Sequence, residues 1–241
     1  MLEFKKNYLL RVSDFDCYDR LRPSAVLDLF QDVAGQHADE IGVGYNDLIK
    51  KDIIWVLLRN KFDVVKNPEL YSEVTAVTWP HERGRGDFDR DYLITSKDGE
   101  VLVKGSSKWC VCNFVTRRIL FGNEVQYNDT EYVDRKVYPD GIKKIEDFSE
   151  ENCEVYEGRS QFGDLDHNGH VNNIKYADYI LNALDLEKNE EIKSVEIDYI
   201  HEMQARSEFK IFYFKKEGKY SLKCLSEGKE IFRAEVETET K

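Results

Sequence analysis

The chain has 241 residues with 47 acidic and 35 basic side chains, a net charge of −12, and 41% hydrophobic and 12% aromatic residues. This composition predicts an ordinary globular protein and argues against sequence-independent binding to nucleic acid, which needs Lys and Arg to neutralise phosphates. No segment approaches the roughly 20 apolar residues of a membrane span, no signal peptide is recognised, and five scattered cysteines indicate reduced thiols in a cytoplasm.

The first predicted element is a helix that begins near Pro23, a residue suited to the first helical turn. Val26, Phe30, Val33 and His37 recur at helical spacing and predict a buried face. Strand-like runs follow at 74–79, 91–95 and 101–112, with a hairpin turn predicted at Asp98-Gly99.

Residues 123–151 are charged and contain few apolar side chains, which predicts a linker. A polar run at 163–173 comes next and ends at Asn172 and Asn173, both good residues for a helix N-cap. The helix that follows buries Ala177, Ile180 and Leu184. Strands are then predicted at 194–200, 208–214, 220–225 and 230–236, with turns at 217–218 and 227–228.

The two halves resemble one module written twice, offset by 150 residues. Asp14 matches Asp164, Asp16 matches Asp166, Leu21 matches Val171, and Asp28 matches Asp178. The sequence therefore predicts an α+β protein of two tandem helix-plus-antiparallel-sheet repeats, packed as a pseudo-dimer. We assign the repeats to residues 1–122 and 152–241. Where the second repeat has Asn168 and His170, the first has Tyr18 and Arg20, so one copy is predicted to be reactive and the other structural.

Asp166, Asn168 and His170 stand at positions i, i+2 and i+4 in a predicted turn that ends at the start of the second helix. In an extended segment this spacing places all three side chains on one side. The helix start adds unpaired N–H groups that suit a developing oxyanion. A carboxylate, an imidazole and such donors suffice for hydrolysis by an activated water or by a nucleophile.

Other interpretations of this run are a metal site and a simple polar turn. A calcium loop fits the spacing of Asp164, Asp166 and Asn168, but its twelfth position is Lys175 instead of a bidentate Glu. A transition-metal site held by His167, His170 and the aspartates, with His201 as a further candidate ligand, is not supported by any His-x-x-x-His or Cys/His spacing. A turn that only caps the helix remains open.

Glu202 lies at the end of the predicted strand 194–200. A surface carboxylate is the ordinary interpretation, but a strand that turns Glu202 towards Asp166 would make it a general acid or base.

The sequence resembles the acyl-acyl-carrier-protein thioesterases of plants and bacteria, which have a double hotdog fold. The resemblance covers nearly the whole chain. It is sharpest at residues 164–176 and 199–203, and is supported by 55–59, 90–93, 106–109 and 116–118. It implies that Asp166, Asn168, His170 and Glu202 are catalytic, without a cofactor or metal. Met203 occupies the position of a Cys that plant members carry, so no cysteine nucleophile is expected there.

The resemblance also implies the reaction and the partner. The expected activity is hydrolysis of fatty acyl-acyl-carrier-protein thioesters, which releases free fatty acid and ends chain elongation. The expected partner is acyl carrier protein with a phosphopantetheine-linked acyl chain, and the enzyme is expected to be a monomer or a homodimer. The alternatives are an acyl-CoA thioesterase, a non-catalytic acyl-binding hotdog protein and a dehydratase.

The acyl pocket is expected in the first repeat, with Val26, Phe30, Val33 and Trp55 as its lining, although core packing is the alternative for each of them. A basic patch for the acidic carrier is expected among the Lys and Arg residues at 83, 85, 90, 104, 108, 117 and 118.

Overall fold

A ten-stranded antiparallel sheet runs through the computed structural model, which describes residues 3–82, 84–125 and 132–240. The helices of these residues are α1 (Pro23–Glu40), the short α2 (Tyr45–Leu48) and α3 (Asn173–Leu184). The strands are β1 (Phe4–Leu9), β2 (Ile53–Val64), β3 (Glu73–Pro80), β4 (Phe88–Ser96), β5 (Val101–Asn113), β6 (Glu154–Arg159), β7 (Glu190–Tyr199), β8 (Glu208–Lys216), β9 (Lys219–Ser226) and β10 (Lys229–Thr240). None of these helices is long and apolar enough to cross a membrane.

The strand order is that of two equivalent halves joined edge to edge. Read from the outer edges inward, the order is β1-β3-β4-β5-β2 in the first repeat and β6-β8-β9-β10-β7 in the second. The inner strands β2 and β7 pair from Arg59 opposite Asp198 to Asp63 opposite Ser194. Helices α1 and α3 contact each other. The arrangement confirms the predicted α+β double hotdog fold.

Both long helices begin where the sequence predicts. Pro23 opens α1, and the side chain of Asn172 accepts a hydrogen bond of 3.1 Å from the N–H of Ile174 to cap α3. The predicted face of α1 is buried, and the ring of Phe30 stacks on Tyr92 with centroids 4.2 Å apart. This close approach requires Gly105 on β5, because a Cβ there would lie 2.5 Å from the Phe30 ring.

All seven predicted strand runs coincide with strands, but β1, β2 and β6 were not predicted. On their exposed sides, the edge strand β1 carries Lys5 and the edge strand β6 carries Glu154, Glu157 and Arg159. The central strand β2 is covered on both faces and shows no alternation of buried and exposed residues. Hairpin turns occur where predicted, with φ of 51° at Glu217 and 79° at Gly218.

Residues 132–151, here called the strap, cross the face of the sheet opposite the helices. They fall within the predicted linker 123–151, of which residues 126–131 lie outside the described residues. The strap meets side chains that alternate with core residues: Asp91 faces it while Tyr92 faces α1. Along its course it contacts Trp79, Asp91, Lys61, Asp198, Arg233 and Lys223. The strap therefore connects the two repeats by running over the seam between β2 and β7.

Candidate active site

Residues 166–170 form a closed turn just before α3. The N–H of Asp166 donates to the carbonyl of His170 at 2.8 Å, and the N–H of Gly169 donates back to the carbonyl of Asp166 at 3.1 Å. Oδ1 of Asp166 accepts the N–H of Asn168 at 2.8 Å and that of His170 at 3.4 Å. The turn places Asp166, Asn168 and His170 along the same cavity wall. One carboxylate oxygen therefore builds the turn, while Oδ2 lies 3.4 Å from the Asn168 amide.

The first repeat contains the same turn. Oδ1 of Asp16 accepts the N–H groups of Tyr18 and Arg20 at 2.8 and 2.9 Å, and the N–H of Asp16 donates to the carbonyl of Arg20 at 2.9 Å. The Arg20 guanidinium also pairs with Asp16 Oδ2 at 2.7 Å. The Asp is thus required for the turn in both repeats, and the residue at the His170 position makes the chemical difference between them.

Glu202 lies against His170, so the end of β7 brings the fourth predicted residue to the other three. His170 Nε2 is 3.2 Å from Glu202 Oε2, and the Arg117 guanidinium is 3.5 Å from Glu202 Oε1. The segment after Glu202 is tied to the turn, because the N–H of Val171 donates to the carbonyl of Met203 at 2.9 Å. His170 is one-fifth exposed and Glu202 half-exposed, so both are open to a substrate.

A cavity of about 720 Å³ extends from this cluster into the first repeat, between α1, α2 and the sheet. Its size is in the range of small-molecule sites. The predicted catalytic residues stand at the end formed by the second repeat. The other residues that line the cavity include Gln31, Ala34, Gly35, Ala38, Tyr45, Leu48, Ile53, Trp55, Leu57, Phe88, Arg90, Trp109, Phe114, Arg117, Tyr176 and Tyr199.

The cavity extends into the first repeat, but only one of the four predicted lining residues borders it. Trp55 lines it, and its indole N–H donates to the carbonyl of Val43 at 2.9 Å. Val26 and Val33 are fully buried in the core, and Phe30 packs on Tyr92 and borders only a narrow crevice. The helix turns a neighbouring stripe of small or polar residues to the cavity: Gln31, Ala34, Gly35 and Ala38.

Three of the five cysteines, Cys110, Cys112 and Cys224, are buried and poorly suited to attack a thioester. Burial raises the pKa of Cys110 to about 11 and also raises the pKa of Cys112 and Cys224, so these three remain protonated thiols. Met203 is 1% exposed and belongs to the core. The ionisable groups that line this end of the cavity include the carboxylates of Asp166 and Glu202 and the imidazoles of His167, His170 and His201.

Two observations bear on the metal interpretations. The Asp164 carboxylate accepts the N–H of Gln161 and the hydroxyl of Tyr179, both at 2.7 Å, and so serves the turn and α3. No three His, Cys, Asp or Glu side chains among the described residues gather as a metal site would require.

Two residues of the predicted basic patch, Arg90 and Lys108, are already engaged within the protein. Arg90 is buried against His37 and Thr78, and the ammonium of Lys108 lies 2.7 Å from carboxylates of both Asp87 and Asp89. Arg83 lies outside the described residues.

Sequence comparison matches both halves of the chain to one family. The model described as the acyl-ACP thioesterase N-terminal domain matches residues 1–124, and the model of the C-terminal domain matches residues 144–238. A palmitoyl-acyl carrier protein thioesterase of Cuphea hookeriana is 28% identical over 220 residues, covering 86% of this chain and 53% of the relative. An acyl-[acyl-carrier-protein] hydrolase of Cuphea viscosissima is 25% identical with the same coverage. The chain thus spans about half the length of the curated relatives it matches.

Solved structures share the whole fold. A 12:0-ACP thioesterase from Umbellularia californica has a TM-score of 0.90 at 25% sequence identity. The match covers 100% of this chain and 98% of the Umbellularia chain. A thioesterase structure from Bacteroides thetaiotaomicron has a TM-score of 0.89 at 23% identity, with 98% coverage of each chain. The second likeness supports the double hotdog fold alone.

Proposed function

Because the chain belongs to the acyl-ACP thioesterase family, we propose that it hydrolyses fatty acyl-acyl-carrier-protein thioesters, releasing free fatty acid and ending chain elongation. The observation that carries this proposal is the His170–Glu202 contact of 3.2 Å beside Asp166, at one end of a cavity of about 720 Å³. A non-catalytic acyl-binding protein needs the cavity but has no need of this cluster. The expected location in the cytoplasm remains a prediction.

The acyl chain would occupy the part of the cavity in the first repeat. Trp55, Phe88 and Trp109 supply its apolar surface, and burial of a chain there contributes roughly 0.8 kcal/mol per CH₂ group. The thioester carbonyl would then lie beside the 166–170 turn, within reach of the predicted catalytic residues.

In the proposed reaction, Asp166 acts on the thioester carbonyl, either as the nucleophile or by activating water. Its Oδ2 is the oxygen for this role, because Oδ1 is held by two backbone N–H groups. Asn168 orients that carboxylate through its amide at 3.4 Å. His170 and Glu202 exchange the proton between the attacking water and the departing thiol, since their contact makes a short route for proton transfer.

The oxyanion would be stabilised by the start of α3. Helix α3 begins at Asn173, so the N–H of Asn173 is among the donors that a helix leaves without an internal partner. Asn172 and Asn173 both line the cavity, which brings the positive end of the helix to the reacting carbonyl.

The test compares release of free fatty acid from acyl-acyl carrier protein and from acyl-CoA of matched chain lengths. We expect a higher kcat/KM for the carrier protein. A clear preference for acyl-CoA would overturn the assignment of the carrier, and binding of the acyl group without hydrolysis of either substrate would overturn the enzyme.

A further inference from the structure

We propose that Tyr45 and His167 form the binding site for the flexible arm that links the thioester to its carrier, a slender chain of amides and methylene groups. The inference rests on the proposed function and identifies residues that set its selectivity for the thiol portion of the substrate. Tyr45 comes from α2 of the first repeat, and His167 from the turn of the second.

The argument begins with a difference in length between the two repeats. The connection from α1 to β2 runs over residues 41–52, which is twelve residues, whereas the connection from α3 to β7 runs over 185–189, which is five. The longer connection contains α2, an element that the second repeat lacks.

The different lengths of the two connections go with a closed turn in the first repeat and an open turn in the second. At the short connection, the Arg20 guanidinium donates to the carbonyls of Glu187 and Glu190. These hydrogen bonds hold the turn of the first repeat against the short connection. Around the long connection, His170 replaces Arg20, and the cavity occupies the space between the turn and the sheet.

The base of the long connection is firmly held. Ile41, Val43 and Leu48 are buried with Ile53 and Phe88 in a separate core cluster. Trp55 on β2 also binds the carbonyl of Val43. The connection therefore presents Tyr45 on a rigid support.

Tyr45 itself faces outward. It is 46% exposed, lines the cavity, and makes an edge-to-face contact with His167, with ring centroids 5.0 Å apart at 89°. His167 is exposed and also lines the cavity. Two exposed rings that border the cavity and touch each other mark its solvent side.

This position matches the path of the thiol portion of a substrate. With the acyl chain in the first repeat and the carbonyl at the 166–170 turn, the sulfur must point to the solvent side. The chain beyond the sulfur then passes Tyr45 and His167. A phenol ring packs on methylene groups, and an imidazole exchanges hydrogen bonds with amides.

The test uses two probes with the same acyl group: an acyl-pantetheine, which carries most of the arm, and an acyl-N-acetylcysteamine thioester, which carries only its first amide. Tyr45→Ala is expected to lower kcat/KM for acyl-pantetheine by about three- to tenfold more than for the short thioester, mainly through KM. Tyr45→Phe keeps the ring and should preserve the ratio. Asn46→Ala is the matched control, because Asn46 is exposed on the same helix and does not line the cavity.

Equal losses on both probes, or an unchanged ratio in Tyr45→Ala, would overturn the inference. If a thermal melt shows that Tyr45→Ala does not fold, His167→Ala takes its place. The ratio of kcat/KM for acyl-pantetheine to that for the short thioester is then measured on His167→Ala, and an unchanged ratio again overturns the inference. Failure of the unsubstituted protein to hydrolyse either probe or the acyl-carrier protein would instead count against the proposed function.

Discussion

Replacing Asp166 with Asn separates the two roles that the structure gives this carboxylate. An Asn side chain can still accept the N–H groups of Asn168 and His170, which Asp166 Oδ1 accepts at 2.8 and 3.4 Å. The loss is the charge-assisted part of those bonds, about 1–2 kcal/mol of folding free energy in total. The loss of a carboxylate that attacks the carbonyl or activates water should lower kcat by at least about a hundredfold.

The first repeat supplies the control. Asp16→Asn alters the same turn with nearly the same hydrogen bonds, and so carries a similar or slightly larger stability cost, because Asp16 also pairs with Arg20. Fatty acid release and thermal unfolding would be measured on both variants, with the mass of each protein checked for deamidation. Asp166→Asn should lose activity and Asp16→Asn should retain it. Activity within a few fold of normal in Asp166→Asn would refute carboxylate chemistry and leave Asp166 as a turn-forming residue.

Three further predictions concern the site, the core and the strap. His170→Ala and Glu202→Ala should each lower kcat at least about a hundredfold in the same assay, and normal activity in either would remove that residue from the mechanism. Met203→Ala should lower the free energy of unfolding by about 2–5 kcal/mol in urea titrations, because Met203 is buried in the core. The activity per folded molecule should change little. An unchanged urea midpoint of unfolding would contradict the packing. A hydrogen bond from Lys223 holds the pKa of Asp147 below its usual range, so this stabilisation is present above about pH 4 and lost as the pH falls through the lowered pKa. Asp147→Asn should therefore reduce the drop in Tm between about pH 6 and about pH 3, and an identical drop would show that the strap contact does not contribute.

The parts of the fold that the sequence predicts are those determined by neighbouring residues. A proline at a first turn, an Asn cap and hairpin turns at Glu217-Gly218 and Glu227-Gly228 act over a few positions and were recognised correctly. The sequence pattern did not predict strand β2, because both of its faces are covered and it lacks the alternation of buried and exposed residues that marks a strand. The strap appeared to be only a linker because its partners, such as Asp198 and Arg233, are far away in sequence.

In the site, too, the sequence predicts the local features but not the contacts between residues distant in sequence. The grouping of Asp166, Asn168 and His170 is local, but the contact of Glu202 with His170 depends on how β7 ends, and the sequence left it open. Periodicity identified the buried side of α1, yet a helix in a hotdog repeat is covered on more than one side. Hydrophobic spacing selected Phe30 and its neighbours, whereas the cavity borders the small residues beside them, such as Gly35. Small side chains leave room for a ligand, and in a sequence they resemble ordinary helix surface.

The duplication separates what the turn needs for folding from what it needs for chemistry. Both repeats keep the aspartate whose Oδ1 accepts two backbone N–H groups, so that residue alone cannot make a repeat reactive. The difference lies four residues later. Arg20 pairs with Asp16 and donates hydrogen bonds to the carbonyls of Glu187 and Glu190. His170 instead turns its imidazole to Glu202, and no cation among the described residues pairs with Oδ2 of Asp166. A guanidinium does not lose its proton in a protein and cannot serve as a base, while an imidazole exchanges protons near neutral pH. The exchange of Arg20 for His170, together with the different lengths of the two connections, thus accounts for the closed first turn and for the imidazole at the second.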